Sequence, residues 1–516
     1  MVSGIFEAVP LYLGKWSTFL IVILVSLVVI KKVKAELFKS KHGAKKAPDM
    51  GVGYFGVKYI AGVLKAKENG DLMEYFRKHS VTNKPKTQTF TLLGIDMVMS
   101  RHPENVKALL ATQFNDFDLG LRHAHLAPLL GDGIFTLDGE GWKHSRAMLR
   151  PQFARDQVAH VEGLESHIQL LAKHIAAAKG NTFDLQELFF KFTVDTSTEF
   201  LFGESINSLY DEKIGITPRA IEGITTFAES FNKSQTYLAS RAYLQSFYFI
   251  LNGRQFHEWN KDVHTVAKYF VKRALSFSPA ELEEKSKNSY VFLYELAKQT
   301  RDPQVLQDQL LNILVAGRDT TAGLLSFTFY QLARNPEIFE KLKTEVYKHF
   351  GNGTDLSKIT FESLKQCEYL KFVLNEVLRL HPSVPLNFRV ANKDTTLPVG
   401  GGKDGRSPVY VPKGTSVGYS VFFTHRDPEV YGKDAEDFRP ERWSELRNLG
   451  WAYLPFNGGP RICLGQQFAL TEASYVIVRL LQLFPNLESS DAGTYPPKYC
   501  VHLTMSLHDG ASVKKS

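Results

Sequence analysis

Cysteine is scarce in this sequence, because Cys367, Cys463 and Cys500 are the only three among 516 residues. Three thiols cannot form the disulfide framework of a small secreted protein, so the sequence favours a reducing compartment such as the cytosolic side of a membrane. Internal repeats, low-complexity segments and a composition break between domains are also lacking. With 44% hydrophobic and 22% charged residues, the chain is predicted to fold as one large globular body behind a short N-terminal tail.

A broad basic surface is lacking too, although the formal net charge is +8. Most of the positive charge lies in residues 1–46, which contain many more lysines than acidic residues. The rest of the chain is close to neutral. This distribution argues against a nucleic-acid partner, which would require basic residues spread over the folded body.

The N-terminal tail contains an uncharged apolar segment from Trp16 to Ile30. It is shorter than the ~30 Å of bilayer hydrocarbon, but a helix that begins at Pro10, with Lys15 extended toward the surface, could cross it. A cleaved signal peptide is the alternative, but its basic residues would precede the apolar segment, whereas here lysines follow it. We therefore expect residues 1–46 to form an uncleaved membrane anchor and lysine-rich linker, with a folded domain of residues 47–516 in the cytosol.

The periodicity between about residue 50 and residue 390 is that of amphipathic helices, with strand-like stretches near both ends, so we expect a mainly α fold with small β-sheets. The longest predicted helix begins after the Asp302-Pro303 pair and ends at Asn335-Pro336. A helix of about 32 residues spans roughly 48 Å, and its apolar middle predicts burial. The polar segment from Ala316 to Thr321 interrupts that middle. It indicates either a solvated face or a functional site, since unpaired polar groups are costly in a dry core.

Near the C-terminus a glycine-rich loop contains a cysteine, in the sequence Phe456-Asn-Gly-Gly-Pro-Arg-Ile-Cys463-Leu-Gly465. An apolar segment with helical periodicity follows it, from Phe468 to Leu483. Glycines allow backbone amides to approach the sulfur, and a helix N-terminus would favour the ionised thiolate. A buried structural cysteine is the alternative, but the full pattern favours a loop that holds a thiolate in a fixed place.

This loop resembles that of the cytochrome P450 family, Phe-x-x-Gly-x-Arg-x-Cys-x-Gly, in which the cysteine thiolate is the axial ligand of a haem. The resemblance implies the cytochrome P450 fold, with haem b between the long central helix and the loop, and Cys463 as the iron ligand. Asn457 and Trp443 depart from the commonest pattern, in which a glycine and a phenylalanine are usual, and so mark a subgroup. Further motifs follow the family's order along nearly the whole chain: Trp142-x-x-x-Arg146, Ala316 to Thr321, Glu376-x-x-Arg379 and Phe438-Arg-Pro-Glu-Arg442-Trp443.

The resemblance also implies roles for residues outside the loop. Glu376 and Arg379 would form a buried charge network with Arg442 that supports the cysteine loop. Glu-x-x-Arg alone is not specific, since Glu74-x-x-Arg77 and Glu436-x-x-Arg439 match it as well. Of the three matches, only Glu376 and Arg379 lie on a predicted helix between the long central helix and the cysteine loop, as the family's order of motifs requires. The haem propionates would bind the residues that match the family's propionate partners, namely Trp142, Arg146, Arg389 and Arg461.

By the same resemblance, Gly317 leaves space for oxygen beside the long helix, while Asp319 and Thr320 deliver protons through water. The protein would then be a monooxygenase that inserts one atom of O2 into a C–H bond. The sequence shows no Gly-x-Gly-x-x-Gly loop of Rossmann type, which lies between a strand and a helix, and no flavin or nicotinamide site, so electrons are expected from a separate protein. The family's partner for such an enzyme is the NADPH-dependent flavoprotein reductase (NADPH-cytochrome reductase) of the endoplasmic reticulum. The chain is therefore expected in that membrane, crossing it once.

Three stretches resemble the alkane- and fatty-acid-hydroxylating group of yeasts, namely residues 381–391, 398–402 and 450–460. They imply oxidation of a long-chain n-alkane or fatty acid at or near its terminal carbon. Attack at a primary carbon requires a narrow channel, and Val384, Leu386 and Phe388 are possible walls, with ordinary core packing as the alternative. Two other functions stay open: sterol or secondary-metabolite oxidation on the same fold, and a haem-thiolate isomerase or sensor. The Asp319-Thr320 pair favours a monooxygenase.

Overall fold

The structure is a computed structural model that describes residues 3–53, 55–154, 161–216, 224–288, 290–489 and 495–515. For residues 3–17 it describes only the helical backbone. The described chain is mainly helical with small β-sheets, which confirms the fold class predicted from the sequence.

The helices are joined by turns, loops and strands. They are α1 (Ser3–His42), α2 (Val57–Glu68), α3 (Leu72–Phe76), α4 (Pro103–Lys107), α5 (Arg122–Leu130), α6 (Gly139–Leu149), α7 (Leu164–Ala177), α8 (Leu185–Phe202), α9 (Ile224–Tyr243), α10 (Arg254–Leu275), α11 (Pro279–Asn288), α12 (Phe292–Gln299), α13 (Pro303–Arg334), α14 (Pro336–Phe350), α15 (Phe361–Gln366), α16 (Glu368–Leu380), α17 (Val421–Thr424), α18 (Pro428–Tyr431), α19 (Arg442–Glu445) and α20 (Gln466–Leu483).

The strands are short, and half of them belong to hairpins. They are β1 (Thr87–Leu92), β2 (Ile95–Ser100), β3 (Phe117–Asp118), β4 (Phe183–Asp184), β5 (Leu386–Ala391), β6 (Thr395–Gly401), β7 (Ser407–Val411), β8 (Ser416–Ser420), β9 (Leu487–Ser489), β10 (Tyr499–Val501), β11 (Met505–Leu507) and β12 (Ser512–Lys515). The largest sheet has the order β1-β2-β8-β5-β3, in which β2 and β8 are parallel and the other pairs are antiparallel.

The long helix α13 organises the core. Asp302 caps its N-terminus, since its Oδ1 accepts hydrogen bonds from the backbone N–H groups of Gln304 (2.8 Å) and Val305 (3.2 Å). The N-terminal half of α13, up to Val315, packs in one hydrophobic cluster with α9, α10 and α12. The C-terminal half, from Ala322, packs in a second cluster with α14, α16 and α20. The polar segment therefore lies where the two clusters meet.

The N-terminal region is one long helix that ends against the sheet region. Phe38 of α1 contacts Tyr410 of β7, with ring centroids 5.4 Å apart, and Lys45 forms a bridge to Val409. The lysine-rich stretch predicted as a linker is therefore helical as far as His42. In the part of the chain that the structure describes, no helix is both long enough and apolar enough to cross a membrane. The predicted span begins at Pro10, and the side chains of its residues as far as residue 17 lie outside the described part of the chain.

Candidate haem site

The cysteine loop has a fixed backbone. The N–H of Cys463 donates to the carbonyl oxygen of Phe456 (3.0 Å), and the N–H of Ile462 donates to that of Gly459 (3.0 Å). Gly459 has a φ of +68°, and a Cβ atom there would lie 1.9 Å from the carbonyl oxygen of Leu110. Only glycine fits at this position, so the loop holds the thiol in one place at the start of α20.

Asn457, one of the two departures from the common family pattern, takes the backbone conformation that favours glycine. Its φ is +64°, in the left-handed region that asparagine tolerates better than most residues. The Asn457 side chain also accepts a hydrogen bond from the Tyr419 hydroxyl at 3.0 Å. The substitution thus keeps the turn and adds a link between the loop and β8, which sequence reasoning did not foresee.

Opposing effects act on the thiol of Cys463. Part of its surface is exposed to solvent, yet protein atoms enclose it on most sides, and this burial raises its pKa. A hydrogen bond from the backbone of Gly465 and the charge of Arg146 lower the pKa, but burial outweighs them. The start of α20 therefore favours the thiolate, as the sequence suggested, but this effect alone does not bring the pKa of Cys463 down to its ordinary value. A bound metal cation would reverse the balance.

Glu376 lies at the centre of a fully buried charge network. Arg379 donates to both of its carboxylate oxygens at 2.8 Å, and Nε of Arg442 donates to Oε1 at 2.8 Å. The backbone N–H of Arg439 (3.0 Å) and the indole N–H of Trp443 (3.0 Å) complete the set. Trp443 is the second departure from the common pattern, and it supplies a donor that phenylalanine lacks.

The network reaches the cysteine loop through His425. Arg379 Nη1 donates to the carbonyl oxygen of His425 at 3.0 Å, while Nε2 of His425 accepts the backbone N–H of Leu454 at 2.7 Å. Burial, reinforced by Arg379 and Arg426, lowers the pKa of His425 to about 3. The ring is therefore neutral near pH 7 and can accept this bond, so the network supports the segment that enters the loop.

Three of the predicted propionate partners lie together beside the loop. Trp142, on α6, is buried, and its indole N–H has no hydrogen-bond partner within the described residues. The guanidinium carbons of Arg461 and Arg146 lie 4.4 Å and 5.9 Å from the Trp142 ring. Arg461 pairs with Asp138 at 2.7 Å, and Arg146 donates to the carbonyl oxygen of Ile462 at 3.0 Å.

A further arginine, Arg122, joins the fourth predicted partner, Arg389. Arg122 Nη2 donates to Oδ1 of Asn387 (2.8 Å) and to the carbonyl oxygen of Phe388 (3.2 Å), while Nε of Arg389 is buried without a partner among the described residues. Burial and then the charge of Arg389 lower the pKa of Arg122 to about 9. Sequence reasoning missed Arg122 because nothing in its local sequence signals a site.

The charges around the cysteine loop fit a haem. Burial is also the main cause that lowers the pKa of Arg461, to about 10, with Asp138 opposing the shift and Arg389 and Arg146 adding to it. Closely spaced arginines with lowered pKa values and unsatisfied donors are unfavourable by themselves and favourable around an anion. The two propionates of haem b, beside a cysteine able to ligate its iron, are such a partner.

The side chains in the polar segment of α13 make contacts of their own. The Thr320 hydroxyl donates to the carbonyl oxygen of Ala316 at 2.7 Å. Arg318 is buried, contacts Asp319 Oδ1 at 3.2 Å and donates to Oδ1 of Asn232. Burial raises the pKa of Asp319, and Arg318 opposes this only in part. Arg318 is therefore buried and paired, and Asp319 is mostly enclosed, which argues against the solvated-face interpretation.

Gly317 and the residues predicted to line the substrate channel are packed less tightly than the cysteine loop. A Cβ atom on Gly317 would have only Ser197 Oγ nearby, at 3.4 Å, so close packing does not require glycine there. Val384, just before β5, and Leu386 and Phe388, at its start, are half-buried. Leu386 packs against the larger core cluster, and the guanidinium carbon of Arg122 lies 4.9 Å from the Phe388 ring. These wall assignments stay predictions.

Comparison with known proteins finds relatives that match over the whole length of the chain. The family model described as Cytochrome P450 matches residues 59–507. Cytochrome P450 52A13 of Debaryomyces hansenii is 58% identical, with 100% of this chain and 100% of that protein covered. Cytochrome P450 52A6 of Candida tropicalis is 58% identical over 98% of each chain, and Cytochrome P450 52A3-B of Candida maltosa is 58% identical over 99% of each.

Proposed function

The chain belongs to the cytochrome P450 family of haem-thiolate monooxygenases, and from this premise we propose that it hydroxylates long-chain n-alkanes or fatty acids at or near the terminal carbon. The observation that carries the proposal is the resemblance of residues 381–391, 398–402 and 450–460 to the alkane- and fatty-acid-hydroxylating group of yeasts. Full-length identity of 58% to Cytochrome P450 52A proteins of Candida and Debaryomyces supports it.

In the proposed site, Cys463 holds the haem iron, and the cations Arg122, Arg146, Arg389 and Arg461, with Trp142, hold the propionates. When bound, the haem supplies the activation of O2 that C–H hydroxylation requires. The loop and its charge network fix the sulfur, so the protein contributes positioning and exclusion of water.

The substrate experiment compares an n-alkane with a fatty acid directly. Microsomes that contain this protein and an NADPH-dependent flavoprotein reductase are incubated with hexadecane and, separately, with lauric acid, and the products are identified by mass spectrometry. We expect terminal or near-terminal alcohols from at least one of them. Product from neither substrate would favour the sterol or secondary-metabolite alternative, and haem-dependent turnover without external electrons would favour an isomerase.

Asp319 and Thr320 are proposed to move protons to the oxygen-binding side of α13. Thr320→Ala should still consume NADPH but release more hydrogen peroxide and less hydroxylated product. Thr328→Ala is a matched control, because Thr328 lies on the same helix and makes the same bond to a carbonyl oxygen four residues earlier (2.7 Å). Wild-type coupling in Thr320→Ala would refute the role of Thr320.

The walls of the substrate channel are proposed to be Val384, Leu386 and Phe388. A narrow channel keeps the weaker internal C–H bonds away from the iron, so smaller side chains should loosen regioselectivity. We expect Leu386→Ala to shift products toward internal alcohols, as read by mass spectrometry. An unchanged product distribution in all three alanine variants would favour ordinary core packing.

We further propose that the protein lies at the endoplasmic reticulum membrane with its catalytic domain in the cytosol, anchored once by α1. Lysines that follow the apolar part of α1 support this orientation. Exposed apolar residues outside α1 support a second contact with the bilayer, and they include Phe55, Val57, Leu64, Leu93, Phe247, Phe249 and Ile250. The exposed residues next to or on α2 lie near those that follow α9, because Nζ of Lys67, on α2, lies 4.7 Å above the ring of Tyr243 at the end of α9.

Electrons are proposed to come from the NADPH-dependent reductase, which would dock over the thiolate side. Lys143 and Arg150 are exposed on or just after α6, the helix whose Arg146 contacts the cysteine loop. Basic residues there would attract an acidic partner, so reductase-supported turnover should fall as salt is raised. Salt-independent reduction of the haem would contradict this docking mode.

A further inference from the structure

Three polar side chains share one face of the largest sheet, beside the proposed propionate partners. Tyr419 of β8 lies opposite Asn387 of β5 in the antiparallel register. Side chains two residues apart on a strand point to the same face, so Arg389 lies on that face as well. Arg122 reaches the same place from α5, since its Nη2 donates to Oδ1 of Asn387 at 2.8 Å. Tyr419 therefore lies close to two of the proposed cations.

The hydroxyl of Tyr419 contacts both an arginine and the cysteine loop. Tyr419 is buried. Burial raises the pKa of its hydroxyl, and the charges of Arg389 and Arg122, with a hydrogen bond from Arg389, oppose the rise. The hydroxyl is therefore neutral near pH 7, so it can accept from Arg389 and donate its own proton. It donates to Oδ1 of Asn457 at 3.0 Å.

Asn457 is the loop residue that receives this hydrogen bond. It follows Phe456, whose carbonyl oxygen accepts the backbone N–H of Cys463 at 3.0 Å. Nδ2 of Asn457 also donates to the carbonyl oxygen of Arg461 in a longer hydrogen bond of 3.5 Å. A glycine, which is usual at this position in the family pattern, would allow the same positive φ but has no side chain to make either contact.

We propose that Tyr419 is a positioning residue that joins the arginines of the proposed propionate site to the loop that holds Cys463. Arg389 donates to the Tyr419 hydroxyl, and the hydroxyl donates to Asn457. Such a chain fixes the spacing between the cations and the loop, because a broken hydrogen bond is costly where water cannot replace it. The inference rests on the proposed haem site and adds the bond that sets the position of the loop relative to the arginines.

The consequence of this spacing concerns the iron ligand. The arginines and the loop would hold different parts of one cofactor, namely the propionates and the iron. If the bond between Tyr419 and Asn457 is lost, the loop can move relative to the arginines, and the thiolate should dissociate more readily. The reduced carbon-monoxide spectrum follows that dissociation, because the red-shifted band of thiolate-ligated haem then gives way to an imidazole-type band.

The test removes each half of the bond in the full-length, haem-bound protein. Tyr419→Phe deletes the hydroxyl, and Asn457→Gly deletes the acceptor but keeps a residue that adopts the positive φ. In mild urea we expect each variant to lose the thiolate band roughly three- to tenfold faster than the unsubstituted protein, the range that one neutral hydrogen bond provides. The double variant should match the single variants to within about twofold, because both substitutions remove the same bond.

Two further variants separate positioning from general stability. Tyr290→Phe is the matched control, because the Tyr290 hydroxyl also donates to a side-chain amide oxygen, that of Gln152 at 2.9 Å. It should keep the thiolate band as long as the unsubstituted protein does. Asn457→Asp keeps an acceptor oxygen for the Tyr419 hydroxyl, so it should lose the band no faster than the unsubstituted protein.

Each other outcome has a definite meaning. Multiplied effects in the double variant would show that the two side chains act independently and would overturn the proposal. An effect of only one single substitution, or an equal effect of Tyr290→Phe, would overturn it too. If Tyr419→Phe does not fold, equal rates in Asn457→Gly and Asn457→Asp would contradict the role of the acceptor. An imidazole-type band in the unsubstituted protein would show instead that the haem site itself is wrong.

Discussion

At the scale of single residues, burial distinguishes the functional Glu-x-x-Arg pair from its two chance matches. The side chains of Glu376 and Arg379 are both 0% exposed. Glu74 and Glu436, which start the other two matches, are 66% and 48% exposed. Surface pairs contribute little to stability, whereas a buried carboxylate depends on every one of its donors.

We expect Trp443→Phe to show that dependence. The substitution keeps an aromatic ring but removes the indole N–H that Glu376 accepts at 3.0 Å. Loss of one hydrogen bond to a buried charge should lower the free energy of unfolding by about 1.5–3 kcal/mol, as measured by urea denaturation. Trp259→Phe is the control, because Trp259 is only partly buried and its ring contacts Lys233 at 5.6 Å. Equal effects of the two substitutions would contradict the importance of the indole donor.

Arg122 should have opposite effects on the apoprotein and the haem-bound protein. Its lowered pKa of about 9 means that its charge, present at pH 7, costs the fold stability when no anion is near. Arg122→Met should therefore raise the melting temperature of the apoprotein but speed the loss of haem to apomyoglobin, since a propionate partner is removed. Arg122→Lys keeps the charge, so its melting temperature and its rate of haem loss should lie between those of the unsubstituted protein and those of Arg122→Met. Faster haem loss without apoprotein stabilisation would argue against the charge explanation.

Sequence reasoning identified candidate site residues inside motifs and missed those that reach the site through tertiary contacts. Cys463, Glu376 and Arg461 could be found from local spacing and order. Arg122 and Tyr419 could not, because they approach the site only when β5 pairs with β8 in the observed register. That register is a long-range contact without a local signal.

At the scale of elements, helix ends were predictable where capping residues mark them. The long helix was expected between Asp302-Pro303 and Asn335-Pro336, and α13 runs from Pro303 to Arg334. Capping depends on neighbouring residues alone, so the sequence contains the signal. The helical continuation of α1 through the lysines of residues 31–42 was not foreseen, because a charged stretch can be either a helix or a flexible linker.

The cysteine loop gives a prediction about one glycine. Gly459→Ala would place a Cβ atom 1.9 Å from the carbonyl oxygen of Leu110 and force the loop to move. We expect the reduced carbon-monoxide spectrum to lose the red-shifted band of thiolate-ligated haem. Gly405→Ala is the matched control, because its φ is similarly positive (+67°) but no atom lies within 4 Å of its Cβ position. A normal spectrum in Gly459→Ala would show that the loop is less constrained than the contact implies.

At the scale of the whole molecule, the chain combines a terminal helix with apolar surface on the folded body. Phe249 and Ile250 are 63% and 66% exposed after α9, and Phe55 is 62% exposed beside α2. The backbone N–H of Leu93 donates to the carbonyl oxygen of Phe55 at 3.1 Å, which brings the turn between β1 and β2 to the same surface. Large exposed apolar surfaces of this kind favour contact with lipid.

We therefore expect membrane binding to depend on two regions that can be separated. Deletion of residues 2–42 should leave a protein that still floats with vesicles of neutral phospholipid, although more weakly, because the surface around Phe249 keeps its apolar area. Adding Phe247→Ser, Phe249→Ser and Ile250→Ser to the deletion should release it, since burial of each large apolar side chain contributes about 1.5–3 kcal/mol. The same three substitutions in the full chain should leave it bound through α1. If the deletion alone abolished flotation, the body would have no lipid contact of its own, and α1 alone would hold the enzyme near substrates that partition into the bilayer.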